Sequence, residues 1–313
     1  MQTKRQIQDL LSAAGVAPNR RLGQHFLVDL NLMRLLVDSA QIGPHDIILE
    51  VGAGTGSLTE TLAEQAGQVI SVELDRTLSG IAASRLAVAA NVQILNTDAL
   101  SNKGTIAPPV VEALASARER IEEIGPTGHG GPIGHMEGEA RVLLVSNLPY
   151  DVASPLMINL AKGPVTVDAM CVTVQKEVAE RMTAPTGSKD YGTLSIFLQA
   201  TGEIEMLRSL PPNAFWPPPQ VDSAIVRYVR NREKNLQVLD TGTFGAVVGM
   251  FIGHRRKMLR ACAKQAPPNL GGRDTWLEIF QQLGIDPTVR PEGVSPEQYV
   301  NMANLCRRLA AGS

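Results

Sequence analysis

Val142-Leu143-Leu144-Val145-Ser146-Asn147-Leu148-Pro149-Tyr150 is the stretch around which the rest of the chain makes sense. Its apolar first half has the length and β-branching of a buried strand. Strands of open α/β sheets end at a ligand crevice. An Asn, a Pro and an aromatic at such an end are poor core material and good material for holding a flat ring that carries an amine. The Asn147 side chain offers a carbonyl oxygen that accepts from an N–H. Pro149 stiffens the turn and has no N–H of its own, which leaves neighbouring carbonyls able to face a ligand. Tyr150 offers a π face. The other reading of these four residues is a turn followed by a surface aromatic, and the remaining motifs weigh against it.

Working outward toward the N-terminus, Asp46 to Val51 reads as a strand that runs into Gly52-Ala53-Gly54-Thr55-Gly56 and then a helix, Leu58 to Gln65. A glycine turn between strand and helix lets a ligand approach the backbone closely. The spacing is G-x-G-x-G with Ser57 after it, so the dinucleotide pattern G-x-G-x-x-G fails, and no Lys-Ser/Thr follows to make a phosphate loop. Gln68 to Leu74 is a second strand ending in Glu73-Leu74-Asp75, an acid about 20 positions past the glycines, as ribose hydroxyls require. Asn91 to Asn96 is a third, ending in Thr97-Asp98-Ala99, where a carboxylate suits an exocyclic amine. Each acid alone could be a helix cap. Three strand ends of this kind, regularly placed, point to one nucleoside pocket.

Near the start, Ile7 to Ala14 reads as a short amphipathic helix and Asn31 to Ala40 as another. Between them Arg20-Arg21-Leu22-Gly23-Gln24-His25-Phe26-Leu27 is a loop that either caps the following helix or brings cations and polar groups to a site. Residues 101–140 do not fit a compact connection: Ala113 to Ile124 looks helical, and Gly125 to Gly138 has loop composition. His129 and His135 lack Cys or acid partners at ligand spacing, so they read as surface residues and no metal is expected. Beyond Tyr150 the pattern predicts a helix over Ser154 to Leu160, a strand over Ala169 to Val174, helices through Met182 and Ala200, and a closing strand pair, Ile204 to Leu210 and Ser223 to Arg230. Between that pair, Phe215-Trp216-Pro217-Pro218-Pro219 makes either a pocket wall or a loop packed on the sheet. From Asn231 the pattern is helical, with a long helix predicted over Thr243 to Lys264.

The chain has 313 residues, enough for one large α/β domain and a smaller one. Its three cysteines are odd in number, far apart and without C-x-x-C spacing, which argues for reduced thiols in the cytoplasm. Met1 to Leu11 has no secretory pattern, and no apolar run has the length of a membrane span. The charge is lopsided: residues 1–226 hold 16 Lys/Arg against 24 Asp/Glu, and residues 227–313 hold 13 against 7. A basic C-terminal part on an acidic body faces either solvent or a polyanion.

Taken in order, these motifs resemble the ribosomal RNA adenine dimethyltransferase family. The matching stretches are Arg21 to Leu27, Glu50 to Gly56, Glu73-Leu74-Asp75, Asp98-Ala99, Asn147 to Tyr150, Gln175 to Val178, Tyr191 to Ser195, Phe215 to Ala224 and Arg255-Arg256-Lys257. Ile285-Asp286-Pro287 and Gln298-Tyr299 are more similar to the small-subunit maturation enzyme than to the macrolide-resistance relatives. The resemblance runs from about Arg20 to the C-terminus and breaks only at 101–140. It implies a seven-stranded, Rossmann-like, S-adenosylmethionine-dependent methyltransferase domain over 1–230; residues of about 101–140 depart from it and are expected to form a flexible insertion. An all-α RNA-docking domain would follow over 231–313. It implies that His25, Leu27, Gly52, Gly54, Glu73, Asp98 and Asn147 contact the cofactor. Asn147, Leu148, Pro149, Tyr150 and Phe215 would hold the target base, and Arg20, Arg21, Arg255, Arg256 and Lys257 would reach RNA. His25 stands where the family usually has Asn.

The expected activity is dimethylation, at N6, of two adjacent adenosines near the 3′ end of 16S rRNA in the immature small subunit, by a cytoplasmic, monomeric enzyme that needs no membrane. Three other readings stand beside it. A DNA adenine methyltransferase has the same strand-end motif but not this C-terminal match. A non-catalytic assembly factor would not need Glu73, Asp98 and Asn147. An NAD oxidoreductase is disfavoured by the glycine spacing.

Overall fold

The apolar runs become strands of one seven-stranded sheet in the computed structural model of the protein, which describes residues 1–19, 22–124, 140–163 and 165–311. In chain order the strands are β1 (Phe26–Leu27), β2 (Ile47–Val51), β3 (Gln68–Val72), β4 (Val92–Leu95), β5 (Leu100–Asn102) and β6 (Thr105–Ile106). They continue with β7 (Val142–Asn147), β8 (Ala169–Gln175), β9 (Gly202–Leu210), β10 (Phe215–Trp216) and β11 (Ser223–Arg230). The sheet order is β4-β3-β2-β7-β8-β11-β9, and the pairs β2–β3, β3–β4, β2–β7 and β7–β8 are parallel. The chain therefore steps outward from β2 on one side and returns to its other side. The reversal puts a topological switch point at the C-terminal ends of β2 and β7, where open α/β sheets bind ligands.

Ile47, Ile48, Leu49, Leu143, Leu144 and Val145 are fully buried, as continuous apolar runs in a doubly covered parallel sheet should be. The first helices are α1 (Lys4–Ala13), α2 (Leu30–Ala40), α3 (Ser57–Ala63), α4 (Arg76–Arg85), α5 (Pro108–Ile124) and α6 (Tyr150–Lys162). α2 packs on β7 and β8, and α5 packs on β2 and β3. The two central strands are held at both ends. At their starts, Arg141 Nε donates to Asp46 Oδ1 at 2.9 Å, a second guanidinium nitrogen donates to Asp46 Oδ2, and both side chains are buried. At their ends, Ser146 Oγ donates to the Val51 carbonyl at 2.6 Å.

Residues 101–124 differ from the expected insertion. They form the β5–β6 hairpin and then α5, whose Val110, Ala113, Leu114, Ala117 and Ile121 are buried. That spacing makes one apolar helix face, which covers the sheet instead of interrupting it. The predicted loop Gly125 to Gly138, with His129 and His135, lies outside the described residues, as do Arg20 and Arg21. α6 begins four residues before the predicted Ser154 and tolerates Pro155 inside it. α4 was not anticipated; its cap is Asp75, which accepts from the backbone of Thr77 and Leu78.

The chain divides into two compact units. The first holds 1–160, 164–179 and 205–228; the second holds 161–163, 180–204 and 229–313. The expected boundary at residue 230 thus meets a second unit that also takes in 180–204. Its remaining helices are α7 (Lys176–Met182, shared with the first unit), α8 (Thr193–Thr201), α9 (Arg232–Gln237), α10 (Thr241–Ile252), α11 (Leu259–Ala263), α12 (Arg273–Gln282) and α13 (Pro296–Ala311). α8 belongs there because it packs on α10 and α13, with the Phe197 and Phe244 rings edge to face at 4.9 Å. Tyr191 Oη also donates to the Val294 carbonyl at 2.8 Å.

The predicted helix Thr243 to Lys264 is two helices. The chain turns through Gly253 to Met258. The new start is set by the 287–289 segment, whose Val289 and Pro287 carbonyls accept from the Leu259 and Arg260 N–H groups at 2.9 Å each. Arg255, Arg256 and Lys257 therefore sit in a turn. No helix among the described residues is long and apolar enough to cross a membrane.

Candidate active site

The loops that follow β2 and β7 touch. Gly52 has φ +92°, and a Cβ there would meet the Pro149 ring at 3.2 Å, so a side chain would both strain the backbone and push the two loops apart. Between these loops and the ends of β3 and β4 lies a cavity of about 400 Å³. It is lined by His25, Gly52, Gly54, Glu73, Asp98, Asn147, Leu148, Pro149 and Tyr150, among others. Nine of the residues singled out in the sequence thus meet in one place, although 125 positions separate the first from the last.

Glu73 is 6 % exposed. Its Oε2 accepts from Gly54 N at 2.8 Å and its Oε1 from Asp75 N at 2.9 Å. Burial pushes its pKa up, and the hydrogen bonds from the Asp75 and Gly54 backbone oppose that shift. The acid that caps a helix is therefore Asp75, and Glu73 is aimed into the cavity wall. Asp98 Oδ1 accepts from Leu100 N at 2.9 Å, which makes a local turn and leaves its other oxygen free of that bond.

Asn147 Nδ2 donates to the His25 carbonyl at 2.8 Å. That bond orients the amide and leaves its carbonyl oxygen as the group that can accept. The Pro149 carbonyl accepts from Val152 N at 3.3 Å in the first turn of α6, whereas no hydrogen bond among the described residues takes the Leu148 carbonyl. Tyr150 Oη is 2.7 Å from Ser223 Oγ, and its ring lies against that of His25 with centroids 5.6 Å apart. Burial raises the Tyr150 pKa, so the phenol stays neutral.

Two expected residues do not line this cavity. Leu27 and Phe215 are paired backbone to backbone in the β1–β10 ladder, and their side chains are 5 % and 3 % exposed. The adjacent pair of the same ladder, Phe26 and Trp216, packs instead on a cluster of Ile7, Leu11 and Leu78. Arg255 is engaged within the second unit: its Nε donates to Glu292 at 3.2 Å and a terminal nitrogen to the Lys189 carbonyl at 2.9 Å. Arg256 and Lys257 are exposed.

Several contributors were not anticipated. Leu74 is 52 % exposed at the cavity edge, an apolar surface beside Glu73. Asn96 Nδ2 donates to the Glu73 and Leu74 carbonyls and holds that turn in place. Arg85 donates to the Thr55 carbonyl at 2.7 Å behind the glycine loop. Lys103 and Asp151 also line the cavity. The only sequence signal for Asn96 was its place at the end of β4; nothing local marks Arg85.

A family model described as ribosomal RNA adenine dimethylase matches residues 16–308. The chain belongs to the ribosomal RNA adenine dimethylase family. Among relatives, it is 36 % identical over 299 residues to ribosomal RNA small subunit methyltransferase A of Pelotomaculum thermopropionicum, covering 95 % of this chain and 94 % of that one. It is 33 % identical over 298 residues to the protein of the same name from Geobacillus kaustophilus, covering 95 % and 94 %. The fold is shared with a dimethyladenosine transferase from Plasmodium falciparum, with TM-score 0.66, 21 % identity and coverage of 89 % of this chain and 96 % of that one. It is shared also with the 23S rRNA methyltransferase ErmE, with TM-score 0.57, 22 % identity and coverage of 90 % and 99 %. The dimethylase family match runs across both compact units and across the 101–124 segment.

Proposed function

We propose that the cavity is the active site of an S-adenosylmethionine-dependent enzyme that dimethylates N6 of adenosine in small-subunit ribosomal RNA. The target we infer is the pair of adjacent adenosines near the 3′ end of 16S rRNA, modified in the immature subunit in the cytoplasm by a monomeric enzyme. The observation that carries this reading is the convergence of two free acceptors, the Asn147 side-chain carbonyl and the Leu148 backbone carbonyl, on a cavity whose far side holds Glu73 and Asp98.

The residues suit the cofactor. The glycine loop keeps a tight path against Pro149 and Phe26 that a Cβ at Gly52 or Gly54 would disturb, Glu73 can accept from ribose hydroxyls, and Asp98 keeps an oxygen for an exocyclic amine. Leu74 adds an apolar surface for a purine, and the carboxylates at the rim suit a cation. S-adenosylmethionine, when bound, supplies an electrophilic methyl group on a sulfonium. Everything else is positioning. An adenine amine is a poor nucleophile because its lone pair is delocalised into the ring. Asn147 and Leu148 can accept both of its hydrogens, which draws the nitrogen toward a tetrahedral shape and frees the lone pair. No strong base is required, since orientation and oriented dipoles lower the barrier. The base must leave its stack to enter, and the Tyr150 ring offers a stacking surface worth roughly 1–3 kcal/mol.

The test is incubation of immature small subunits with methyl-labelled cofactor, followed by mapping of the label. Dimethyladenosine at two adjacent positions is the expected result. Tight subunit binding without transfer would favour an assembly factor, and label on DNA alone would favour a DNA enzyme.

A further inference from the structure

Gln2 is 3 % exposed, a buried amide at a position that no motif marks. Thr3 caps α1, and the Ile7 and Leu11 face of that helix packs with Leu78, which fixes where the residues before the helix lie. There the Gln2 N–H donates to Ser57 Oγ at 2.7 Å. The Gln2 side chain lies between the Thr55 hydroxyl and the Arg85 guanidinium. A guanidinium only donates, so the amide oxygen faces Arg85, 2.7 Å from a terminal nitrogen and 2.9 Å from Nε, and the amide nitrogen donates to Thr55 Oγ1. Arg85 also donates to the Thr55 carbonyl at 2.7 Å and reaches Glu60 at 3.4 Å. Thr55 is 1 % exposed and is not among the described residues that line the cavity.

Thr55 stands between two glycines in the left-handed region, Gly54 at φ +57° and Gly56 at φ +78°. Glycine admits many backbone states, so a loop of this composition keeps one shape where other groups hold it. Gln2 and Arg85 hold Thr55 by its hydroxyl and by its carbonyl. The residue before it, Gly54, donates to Glu73 Oε2 at 2.8 Å, and Glu73 is the acceptor for ribose hydroxyls in the reading above. We infer that Gln2 and Arg85 are positioning residues of the cofactor loop. By fixing Thr55 they fix the neighbouring Gly54 N–H, and with it the Glu73 carboxylate. An apolar residue in place of Gln2 would leave the Thr55 hydroxyl and one side of the guanidinium unmet in a buried place. This inference rests on the cofactor reading of the cavity and names what sets its geometry.

The experiment compares wild type with Gln2→Ala, Gln2→Glu, Arg85→Ala, the double alanine variant and Thr55→Val. Each is measured for S-adenosylmethionine affinity by calorimetry well below its melting temperature, for KM toward immature small subunits, and for kcat at saturating cofactor. Gln2→Ala should weaken cofactor affinity about fivefold or more. Its kcat at saturating cofactor and its subunit KM should stay within about twofold of wild type, because the groups that hold the base are untouched. Gln2→Glu keeps an acceptor for Arg85 and can accept from the Thr55 hydroxyl, so it should bind cofactor within about twofold of wild type. Gln2 and Arg85 act on one residue, so the double alanine variant should lose less affinity than the two single losses multiplied. Unchanged cofactor affinity in Gln2→Ala would overturn the inference even if the melting temperature falls, since that is the result of a purely structural contact. A Gln2→Glu variant as weak as Gln2→Ala would overturn it too, as would single losses that simply multiply in the double variant. If Gln2→Ala does not fold, Thr55→Val decides, because it removes only the hydroxyl: wild-type cofactor affinity overturns the inference, and a loss of the size expected for Gln2→Ala supports it. Wild-type protein that binds no S-adenosylmethionine sinks the cofactor reading, and this inference with it, before any variant is compared.

Discussion

Glu50 and Glu73 are both buried carboxylates near the glycine loop, and their surroundings give them different work. Glu73 meets two backbone N–H groups and the cavity. Losing a charged acceptor costs about 1.5–3 kcal/mol, so Glu73→Ala should weaken cofactor binding roughly tenfold or more in calorimetry. Unchanged affinity would remove Glu73 from the cofactor site. Asn147→Ala should largely abolish methyl transfer while binding to immature small subunits survives; a variant that still dimethylates at the wild-type rate would rule out the acceptor role. Glu50 lies inside, where its Oε2 accepts from Thr59 and Ser71 hydroxyls at 2.6 Å each. Burial pushes its pKa up from 4.5 to about 7. A carboxylate whose folded pKa is raised binds its proton more tightly in the folded state. Its contribution to stability therefore declines as pH rises from about 4.5 to about 7 and stays low above that. The loss is of order 3 kcal/mol. Glu50→Gln keeps a carbonyl for both hydroxyls and cannot ionise, so it should melt above wild type at pH 8, with the gap closing toward pH 4.5. A gap that does not vary with pH would show that Glu50 is not titrating in this range.

Elements are held where local pattern and long-range contact agree. β2 and β7 pair in register from Ile47–Val142 to Leu49–Leu144, with the Asp46–Arg141 pair at the base and Ser146 at the top. Removing one member of a buried pair strands a charge and costs about 3–5 kcal/mol. Asp46→Ala should therefore lower the unfolding free energy, measured by denaturant titration, by that amount, and a change under about 1 kcal/mol would mean that water reaches Arg141. The strand assignments were legible because apolar runs of this kind have few alternatives. α5 was half legible: Ala113 to Ile124 was read as helix, but its coverage of the sheet depends on β2 and β3 being beside it. The break between α10 and α11 was not legible at all. Its cause is a pair of carbonyls about 28 residues further along the chain.

Residues 1–226 are net acidic and residues 227–313 net basic, and the second unit holds the exposed cations Arg256, Lys257 and Arg260. Arg255 is tied to Glu292 and Lys189, so its neighbours are the better candidates for phosphate contact. Each phosphate contact adds about 0.7–0.9 to the magnitude of the log–log salt slope. Arg256→Glu with Lys257→Glu should weaken binding to immature small subunits and flatten that slope by one to two contacts' worth, with cofactor affinity unchanged. Unaltered affinity and slope would place the docking face elsewhere.

The motifs at the ends of β2, β3, β4 and β7 could be read without coordinates because each is a local event: an apolar run, then a glycine, an acid or an Asn-Leu-Pro-Tyr turn. Parallel sheets place such ends together by topology alone. Which acid caps a helix and which faces a ligand could not be read that way. Glu73 and Asp75 stand two residues apart, and only the packing of Gly54 against one of them separates their roles. The same holds for Phe215, whose burial depends on pairing with Leu27, and for Arg255, whose charge is met by Glu292. These partners lie 19, 188 and 37 positions away. No local pattern encodes a contact at that range, because the side chain's surroundings are supplied by whatever the sheet order and the helix packing bring beside it.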